Sequence, residues 1–240
     1  MKLFSTIKKE KEYWLVDQVK RAQAHERDYE EEFQGLLKDW NDQEVDYLSL
    51  LMDDTYEARL VKKGFHKVSV IVEYTLDLNT IQRQKSDISP FVLAACEMSD
   101  ETFANLYEQC RSGSANKNNL FTIDQIMESF ELELGPNWRY HCMIFQKEGE
   151  PVGISIPHIE PGMRGEGRLF YFGILPEWRD KGMGTVCHQH TLDALKEFGA
   201  TYYVGSTDAA NEAMIRIFEK NGCVLRDRKG IYRIDRLSTV

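Results

Sequence analysis

Apolar residues recur at helical spacing in five segments of the chain. The clearest is residues 26–40, where apolar side chains fall every three or four positions and would share one helix face. Two other segments carry start signals, since Ser99 can cap one helix and Thr122 with Gln125 forms a capping-box pattern before another. Helices are therefore predicted over residues 26–40, from Ser99, from Thr122, over residues 185–198 and from Asn211.

Shorter stretches between the helices are typical of strands. Residues 138–146 and 151–158 form a predicted hairpin around Lys147-Glu-Gly-Glu. The remaining strands are predicted at residues 168–175, 201–206, 224–227 and 231–236, the last two as a hairpin that turns at Arg228-Lys-Gly230. This order of elements predicts a mixed sheet flanked by helices, the layered α/β or α+β class.

The order of elements also contains an internal repeat. A strand near residues 45–50, a helix from Thr55, a glycine at Gly64 and a strand over 68–74 recur later as strand, helix, Gly222 and strand. Chance recurrence is an open alternative, because the identity is low. We expect an N-terminal extension, helical or a partial repeat, over residues 1–66 and a main domain over residues 67–240.

Composition narrows the class of protein. The 240 residues carry a net charge of −9 without a dense Lys/Arg block, which disfavours a nucleic-acid partner. No apolar run approaches the roughly 20 residues that a membrane-spanning helix needs, and the N-terminus has no signal-peptide core. The five cysteines are an odd number without close pairs, so we expect free thiols, no disulfide framework, no metal site and a cytoplasmic location.

The segment from Ile174 to Gly184 carries the clearest chemical signal. It lies between a predicted strand and a predicted helix, and Gly182 and Gly184 let the backbone N–H groups turn towards one point. A helix N-terminus favours anions through these N–H groups and the helix dipole. The pattern predicts an anion cradle, with a tight strand–helix turn as the alternative.

The surrounding pattern resembles the GNAT acetyltransferase superfamily. Arg179, Gly182 and Gly184 match the Arg/Gln-x-x-Gly-x-Gly/Ala turn of that family, and they are followed by Gly205-Ser-Thr-Asp208, Asn211 and Phe218-Glu-Lys-Asn-Gly222. The resemblance is specific over roughly residues 136–236 and is a match of element order alone over 90–135. It implies a GNAT fold, with a mostly antiparallel sheet splayed at its centre.

The resemblance also implies acetyl-CoA as co-substrate. In the family the pyrophosphate lies on the glycine turn, and the pantetheine arm pairs with the splayed strand. A competing duty for Asn211 is capping its own helix. The implied cofactor-binding residues are Phe172, Gly173, Ile174, Arg179, Asp180, Lys181, Gly182, Met183, Gly184, Thr185, Asn211 and Phe218.

Three positions depart from the family pattern. Asp180 stands where Gly is frequent, Phe218 where a tyrosine acid is frequent, and Arg168 where a glutamate base is frequent. The remaining candidates for proton transfer are His158, Glu160 and Tyr171. A surface strand-end role for the first two and a wall or core role for Tyr171 are the alternatives.

The resulting functional hypothesis is an N-acetyltransferase that moves the acetyl group of acetyl-CoA to a primary amine by direct attack. We expect a small-molecule acceptor, no membrane partner, and a homodimer as one compatible assembly. The alternatives are a non-catalytic acyl-CoA sensor or regulatory module, favoured by Phe218 and Arg168, and an interaction protein that works through its N-terminal segment.

Overall fold

The computed structural model describes residues 2–20, 22–82, 85–114 and 122–236, which form two compact units. The first unit comprises Met1–Val72 with Asp227–Val240, and the second comprises Glu73–Arg226. The strands β4 (His66–Asp77) and β10 (Val224–Asp235) each contribute residues to both units. The expected division at residue 66 therefore differs from the compact units, because the chain's last strand belongs largely to the first of them.

The first unit is a small sheet with two helices. Its strands β1 (Phe4–Lys9), β2 (Tyr13–Gln18), β3 (Tyr47–Asp53) and β10 lie in that order, with β2 and β3 parallel and the other neighbours antiparallel. The helices are α1 (Glu26–Asp42) and α2 (Glu57–Lys62). Its core is a cluster of buried aromatic and aliphatic side chains that includes Phe33 of α1 and Leu48 of β3.

The second unit holds the larger part of the chain. Its strand order is β4-β9-β8-β7-β6-β5, in which β8 and β9 are parallel and the pairs from β8 to β5 are antiparallel. The predicted mixed, mostly antiparallel sheet with flanking helices is confirmed. Its elements are β5 (Ser89–Val92), α3 (Asp100–Arg111), α4 (Ile123–Leu134), β6 (Met143–Lys147), β7 (Glu150–Ile159), β8 (Glu166–Ile174), α5 (Met183–Glu197), β9 (Tyr202–Asp208) and α6 (Glu212–Lys220).

The local start signals operate as the sequence predicts. The Ser99 side chain accepts from the Thr102 N–H at the start of α3. Thr122 and Gln125 form the reciprocal capping box of α4. The Asn211 side chain accepts from the Met214 N–H, 3.2 Å away, at the start of α6.

The order of the internal repeat is also present. The run β3, α2, Gly64 and β4 has the same order as β9, α6, Gly222 and β10, and both glycines have positive φ, of 90° and 80°. The left-handed conformation at each glycine ends the helix and turns the chain into the following strand.

Two details of the predicted strands are wrong, the start of one strand and a turn between two others. Residues 138–142 do not extend β6, because Trp138–Tyr140 forms a 3-10 turn and Arg139 donates to the backbone oxygens of Leu93 and Met98. The predicted C-terminal hairpin is one continuous strand, β10. Gly230 lies inside β10 and does not turn the chain. A Cβ at this position would lie 2.5 Å from the Tyr232 ring, so the glycine leaves room for that ring on the strand.

Two helical layers cover the sheet of the second unit. Tyr171 of β8 packs with the cluster formed under α3 and α4, and its neighbour Phe172 packs with the cluster that includes Cys187 of α5. Successive strand residues point to opposite faces of a sheet, so the two helical layers lie on opposite faces. Among the described helices, none is both long and apolar enough to cross a membrane.

Candidate functional site

Strands β8 and β9 pair over a short distance and then part. In the described chain their parallel ladder consists of Glu166 with Tyr202 and Gly167 with Tyr203. Both strands continue well beyond this ladder, to Ile174 and Asp208. The edges that face each other past the ladder carry backbone N–H and C=O groups without a partner strand, which are strong hydrogen-bonding groups for a ligand.

A bulge in β8 accompanies the separation. Tyr171 pairs with Ile156 and Leu169 pairs with Pro157, so Phe170 is an extra residue in β8. Pro157 has no N–H and cannot donate to the ladder. A bulge bends the strand and re-aims the side chains after it, and bulges are frequent beside functional sites.

A buried carboxylate joins the two strands just before they part. Glu166 is 1% exposed, and its Oε2 accepts from the Tyr202 hydroxyl at 2.8 Å. Its Oε1 accepts from Arg168 Nε at 2.6 Å. The Arg168 guanidinium also faces Glu160 and Glu73, at 3.5 and 3.6 Å. Arg168 is therefore held in an ion-pair network at the closed end of the fork between β8 and β9.

The turn after β8 leads into an open helix N-terminus. Asp180 and Gly182 both have positive φ, of 58° and 78°, and α5 begins directly after Gly182. Gly182 is the N-cap and has no side chain to accept the first N–H groups of α5. These N–H groups have no partner inside the helix and carry the positive end of its dipole, so the turn can bind an anion.

Glycine is favoured at positions 182 and 184 for different structural reasons. A Cβ on Gly182 would meet no atom within 4 Å, so its backbone conformation alone favours glycine. A Cβ on Gly184 would lie 2.6 Å from Cδ1 of Ile217 in α6. Gly184 therefore allows α5 and α6 to approach closely beside the open N-terminus.

The Arg179 side chain points back to the protein backbone. Its Nε donates to the Ile174 oxygen at 3.0 Å, and its Nη2 donates to the oxygens of Cys110 and Ser112 at 3.0 and 2.7 Å. These bonds join the end of β8 to the C-terminal end of α3. The side chain thus holds the turn in place, while the turn presents its backbone to the cavity.

A cavity of about 510 Å³ joins the fork and the helix N-terminus. Arg216 and Lys220 of α6 contribute cationic side chains to its lining, and the turn after β8 contributes Arg179 and the acidic Asp180. The sequence-predicted cofactor residues in its lining are Phe172, Gly173, Ile174, Arg179, Asp180, Gly182, Gly184, Thr185, Asn211 and Phe218.

Comparison with known proteins identifies the family of this chain. The sequence model of the Acetyltransferase (GNAT) family matches residues 101–223, just over half of the chain. The chain belongs to the GNAT acetyltransferase family.

Solved structures show the same GNAT fold at low identity. A GCN5-related N-acetyltransferase from Sphaerobacter thermophilus superposes with a TM-score of 0.71 at 13% identity, over 97% of this chain and 76% of that chain. One from Kribbella flavida gives 0.58 at 12% identity, over 94% and 82%. A tandem GNAT protein from the clavulanic acid biosynthesis pathway gives 0.59 at 13% identity, over 93% and 75%. No curated protein matches the chain in sequence.

Two of the predicted cofactor residues lie outside the cavity lining of this GNAT unit. The Lys181 ammonium lies 5.3 Å from the centre of the Trp178 ring. Met183 packs into the apolar cluster beneath α5. Lys181 therefore belongs to the turn and Met183 begins α5, but neither residue is part of the cavity wall.

The three candidates for proton transfer occupy two places. Tyr171 lines the cavity, and its ring packs on Tyr107 at a centroid distance of 4.1 Å. His158 and Glu160 lie outside the lining, near the end of β7, where His158 Nε2 is 3.5 Å from Glu160 Oε2. Burial lowers the pKa of His158, and the nearby Glu160 opposes this shift. Burial raises the pKa of Tyr171 well above its ordinary value.

The sequence interpretation missed several residues of the GNAT cavity. Tyr203, Gly205 and Thr207 of β9 line it, as do Arg216, Ile217 and Lys220 of α6. Part of the signal was available, since the Gly205-Ser-Thr-Asp208 run belongs to the resemblance. Among the described residues, no group of three or more His, Cys, Asp or Glu side chains could hold a metal ion.

Proposed function

We propose that this GNAT protein transfers the acetyl group of acetyl-CoA to a primary amine, with a small molecule as acceptor. The proposal rests on the cavity that runs from the fork of β8 and β9 to the uncapped N-terminus of α5. A strand edge with free backbone groups suits an amide-bearing chain, and a helix N-terminus suits a pyrophosphate. The free cysteines, mostly buried, favour a reducing, cytoplasmic location.

The described residues fit acetyl-CoA at both ends of the cavity. Gly182, Gly184 and Thr185 would hold the pyrophosphate through the first N–H groups of α5, with Asp180 exposed beside them. Residues 172–174 would pair with the pantetheine arm along the open edge of β8. Asn211 lines the same cavity while its side-chain oxygen caps α6, so the cap does not exclude the proposed cofactor contact.

Acetyl-CoA supplies an acetyl group activated as a thioester. The protein's contribution is to hold the amine and thioester together and to offer backbone N–H groups of the β8 edge to the carbonyl oxygen. These groups are fixed before the reaction, so they stabilise the developing charge without reorganisation.

The amine must lose a proton to attack or during attack. Burial keeps the Tyr171 phenol protonated at neutral pH, which makes it a poor base. The lowered pKa of His158 keeps its imidazole neutral and able to accept a proton, with Glu160 beside it. His158 and Glu160 lie outside the cavity lining, so we propose that a chain of water molecules carries the amine proton to His158.

Two measurements test the proposal on the intact protein. Calorimetry with acetyl-CoA should show binding, and a thiol assay with a panel of primary amines should show amine-dependent CoA release. The control is a thiol assay without amine, which sets the rate of hydrolysis. Absence of both binding and CoA release would overturn the proposal.

The sensor alternative has one specific observation in its favour. Phe218 is 1% exposed in the cavity wall and offers no proton to a leaving group. Tight acetyl-CoA binding with no amine-dependent CoA release would support the sensor.

A further inference from the structure

Four aromatic side chains form a cluster beside the cavity. His188 is 0% exposed, and its ring contacts Phe172, Tyr203 and Phe218 at centroid distances of 5.6, 5.3 and 5.6 Å. Tyr203, Phe172 and Phe218 belong to the cavity lining, whereas His188 lies behind it. The proposed mechanism has so far used neither His188 nor Tyr203.

Asn221 fixes the proton positions of His188. Its Nδ2 donates to the Thr185 backbone oxygen at 3.1 Å, which sets the orientation of the amide. The same Nδ2 lies 2.9 Å from His188 Nδ1, so Nδ1 accepts. Burial lowers the pKa of His188 to about 3, and the ring is neutral at pH 7. A neutral imidazole with an accepting Nδ1 carries its single proton on Nε2.

This tautomer sets the direction of the next hydrogen bond. His188 Nε2 is 3.3 Å from the Tyr203 hydroxyl oxygen, and Nε2 must donate to it. The hydroxyl oxygen therefore accepts from His188 and retains its own proton. Burial raises the pKa of Tyr203 well above its ordinary value, so the phenol is protonated at neutral pH.

The Tyr203 side chain is 1% exposed, and its hydroxyl proton remains available to a further acceptor. In the described chain, His188 is the hydrogen-bond partner of the Tyr203 hydroxyl. A Cβ on Gly205 would lie 2.1 Å from that oxygen, so the missing side chain makes room for the hydroxyl on β9. Both Tyr203 and Gly205 line the cavity, just beyond the point where β8 and β9 part.

We propose that the Tyr203 hydroxyl donates a hydrogen bond to the sulfur of the acyl thioester, with His188 and Asn221 as positioning residues. This inference rests on the proposed function. The carbonyl oxygen has its donors on the β8 side of the fork, and Tyr203 stands on the β9 side among aromatic rings. A weakly hydrated sulfur suits that wall.

Attack by the amine transfers the acetyl group from sulfur to nitrogen. The amine lone pair forms the C–N bond while the C–S bond breaks, and its electron pair stays on sulfur. Sulfur takes the Tyr203 proton and leaves as the free thiol of CoA. The amine nitrogen releases one proton through the water chain to His158, which passes it to the solvent, and the solvent returns one proton to the tyrosinate. The products are an amide and a thiol.

The first test compares Tyr203→Phe with Tyr74→Phe as matched control. Tyr74 is buried against the same Phe218 ring at 5.1 Å, but its hydroxyl faces Glu219 and it does not belong to the lining. Tyr203→Phe should lower kcat by about 10- to 100-fold, with KM for acetyl-CoA within about threefold. Tyr74→Phe should leave both near wild type. Equal kcat values for Tyr203→Phe and wild type would overturn the inference.

The second test needs no turnover. Calorimetry compares CoA with desulfo-CoA, which lacks the thiol. Wild type should prefer CoA by about fivefold, the worth of one hydrogen bond, and Tyr203→Phe should lose this preference. Asn221→Leu removes the donor that keeps the His188 proton on Nε2, so it should also reduce the preference for CoA over desulfo-CoA. An undiminished preference in Tyr203→Phe contradicts the inference, whereas failure of wild type to bind CoA at all contradicts the proposed function.

Discussion

Gly184 of α5 packs directly against Ile217 of α6, with room for a hydrogen but not for a methyl group. Gly184→Ala should lower the free energy of unfolding by about 1–2 kcal/mol, because overpacking outweighs the gain in helix propensity. Adding Ile217→Val removes the obstructing Cδ1 and should recover most of that loss. Urea denaturation of the two single variants and the double variant measures the coupling.

Gly35 supplies the control for this experiment. It lies exposed inside α1, and a Cβ there would meet nothing within 4 Å. Gly35→Ala should therefore stabilise its unit by about 0.5–1 kcal/mol. If Gly184→Ala stabilised to the same extent, the close approach of α5 and α6 would have no energetic weight.

Two substitutions at Gly182 separate the effect of charge on acetyl-CoA binding from the effect of backbone strain. Asn and Asp have nearly the same shape, and both tolerate the left-handed conformation better than most residues. Under the proposed function, acetyl-CoA at a hundredfold excess over Kd stabilises the fold by about 2.7 kcal/mol. Gly182→Asn should keep most of this stabilisation, and Gly182→Asp should lose it because a carboxylate repels the pyrophosphate. Thermal-shift titrations with acetyl-CoA compare the two variants. Equal shifts in both variants would mean that the pyrophosphate binds elsewhere than at this turn.

Arg179 should matter for stability through its three carbonyl partners. A lysine ammonium cannot reproduce the planar fork that spans them. Arg179→Lys should lower the free energy of unfolding by about 2 kcal/mol, within the range for hydrogen bonds to charged groups. Arg216→Lys is the control, since Arg216 is exposed and pairs only with its own-helix neighbour Glu212 among the described contacts. A loss below about 0.5 kcal/mol in Arg179→Lys would show that the fork carries little weight.

The buried His188 makes stability depend on pH. The unfolded chain binds a proton at this residue below its ordinary pKa of about 6.5, while the folded state resists it down to about 3. Stability from the neutral ring is therefore complete above pH 6.5 and falls as pH drops towards 3.

Comparison with His188→Gln isolates this effect from that of the carboxylates. The stability advantage of wild type over the variant should be largest near pH 7 and shrink by about 1.4 kcal/mol per unit between pH 6 and 4. Urea denaturation at half-unit steps of pH measures it. An advantage that stays constant across this range would contradict the assigned neutral state of the buried ring.

Features set by neighbouring residues were predictable from the sequence. The caps at Ser99, Thr122 and Asn211 depend on side chains two to four residues from the backbone they serve, and all three are observed. The glycine turn was likewise visible because strand, turn and helix are contiguous. The family resemblance added the fork, which local patterns alone do not contain.

Features without a local turn or cap signal, and features set by distant residues, were not predictable. The β1–β2 hairpin was missed because its turn places Lys11, not glycine or asparagine, at a positive φ of 60°. The side-chain partners of Arg179 were not predictable, because two of its three carbonyl partners lie 69 and 67 residues away in the sequence. The chain from Asn221 to Tyr203 depends on three elements that meet only in the folded unit.

The use of β10 by the first unit sets an order of assembly during synthesis. Residues 1–72 emerge first, yet β3 then presents an open edge, since residues 229–235 that pair with it come last. At ordinary translation rates the intervening residues 73–226 take roughly ten to thirty seconds to make. The first unit therefore gains its β10 segment only after residues 73–226 have been made, and the second unit can fold while β3 still lacks this partner.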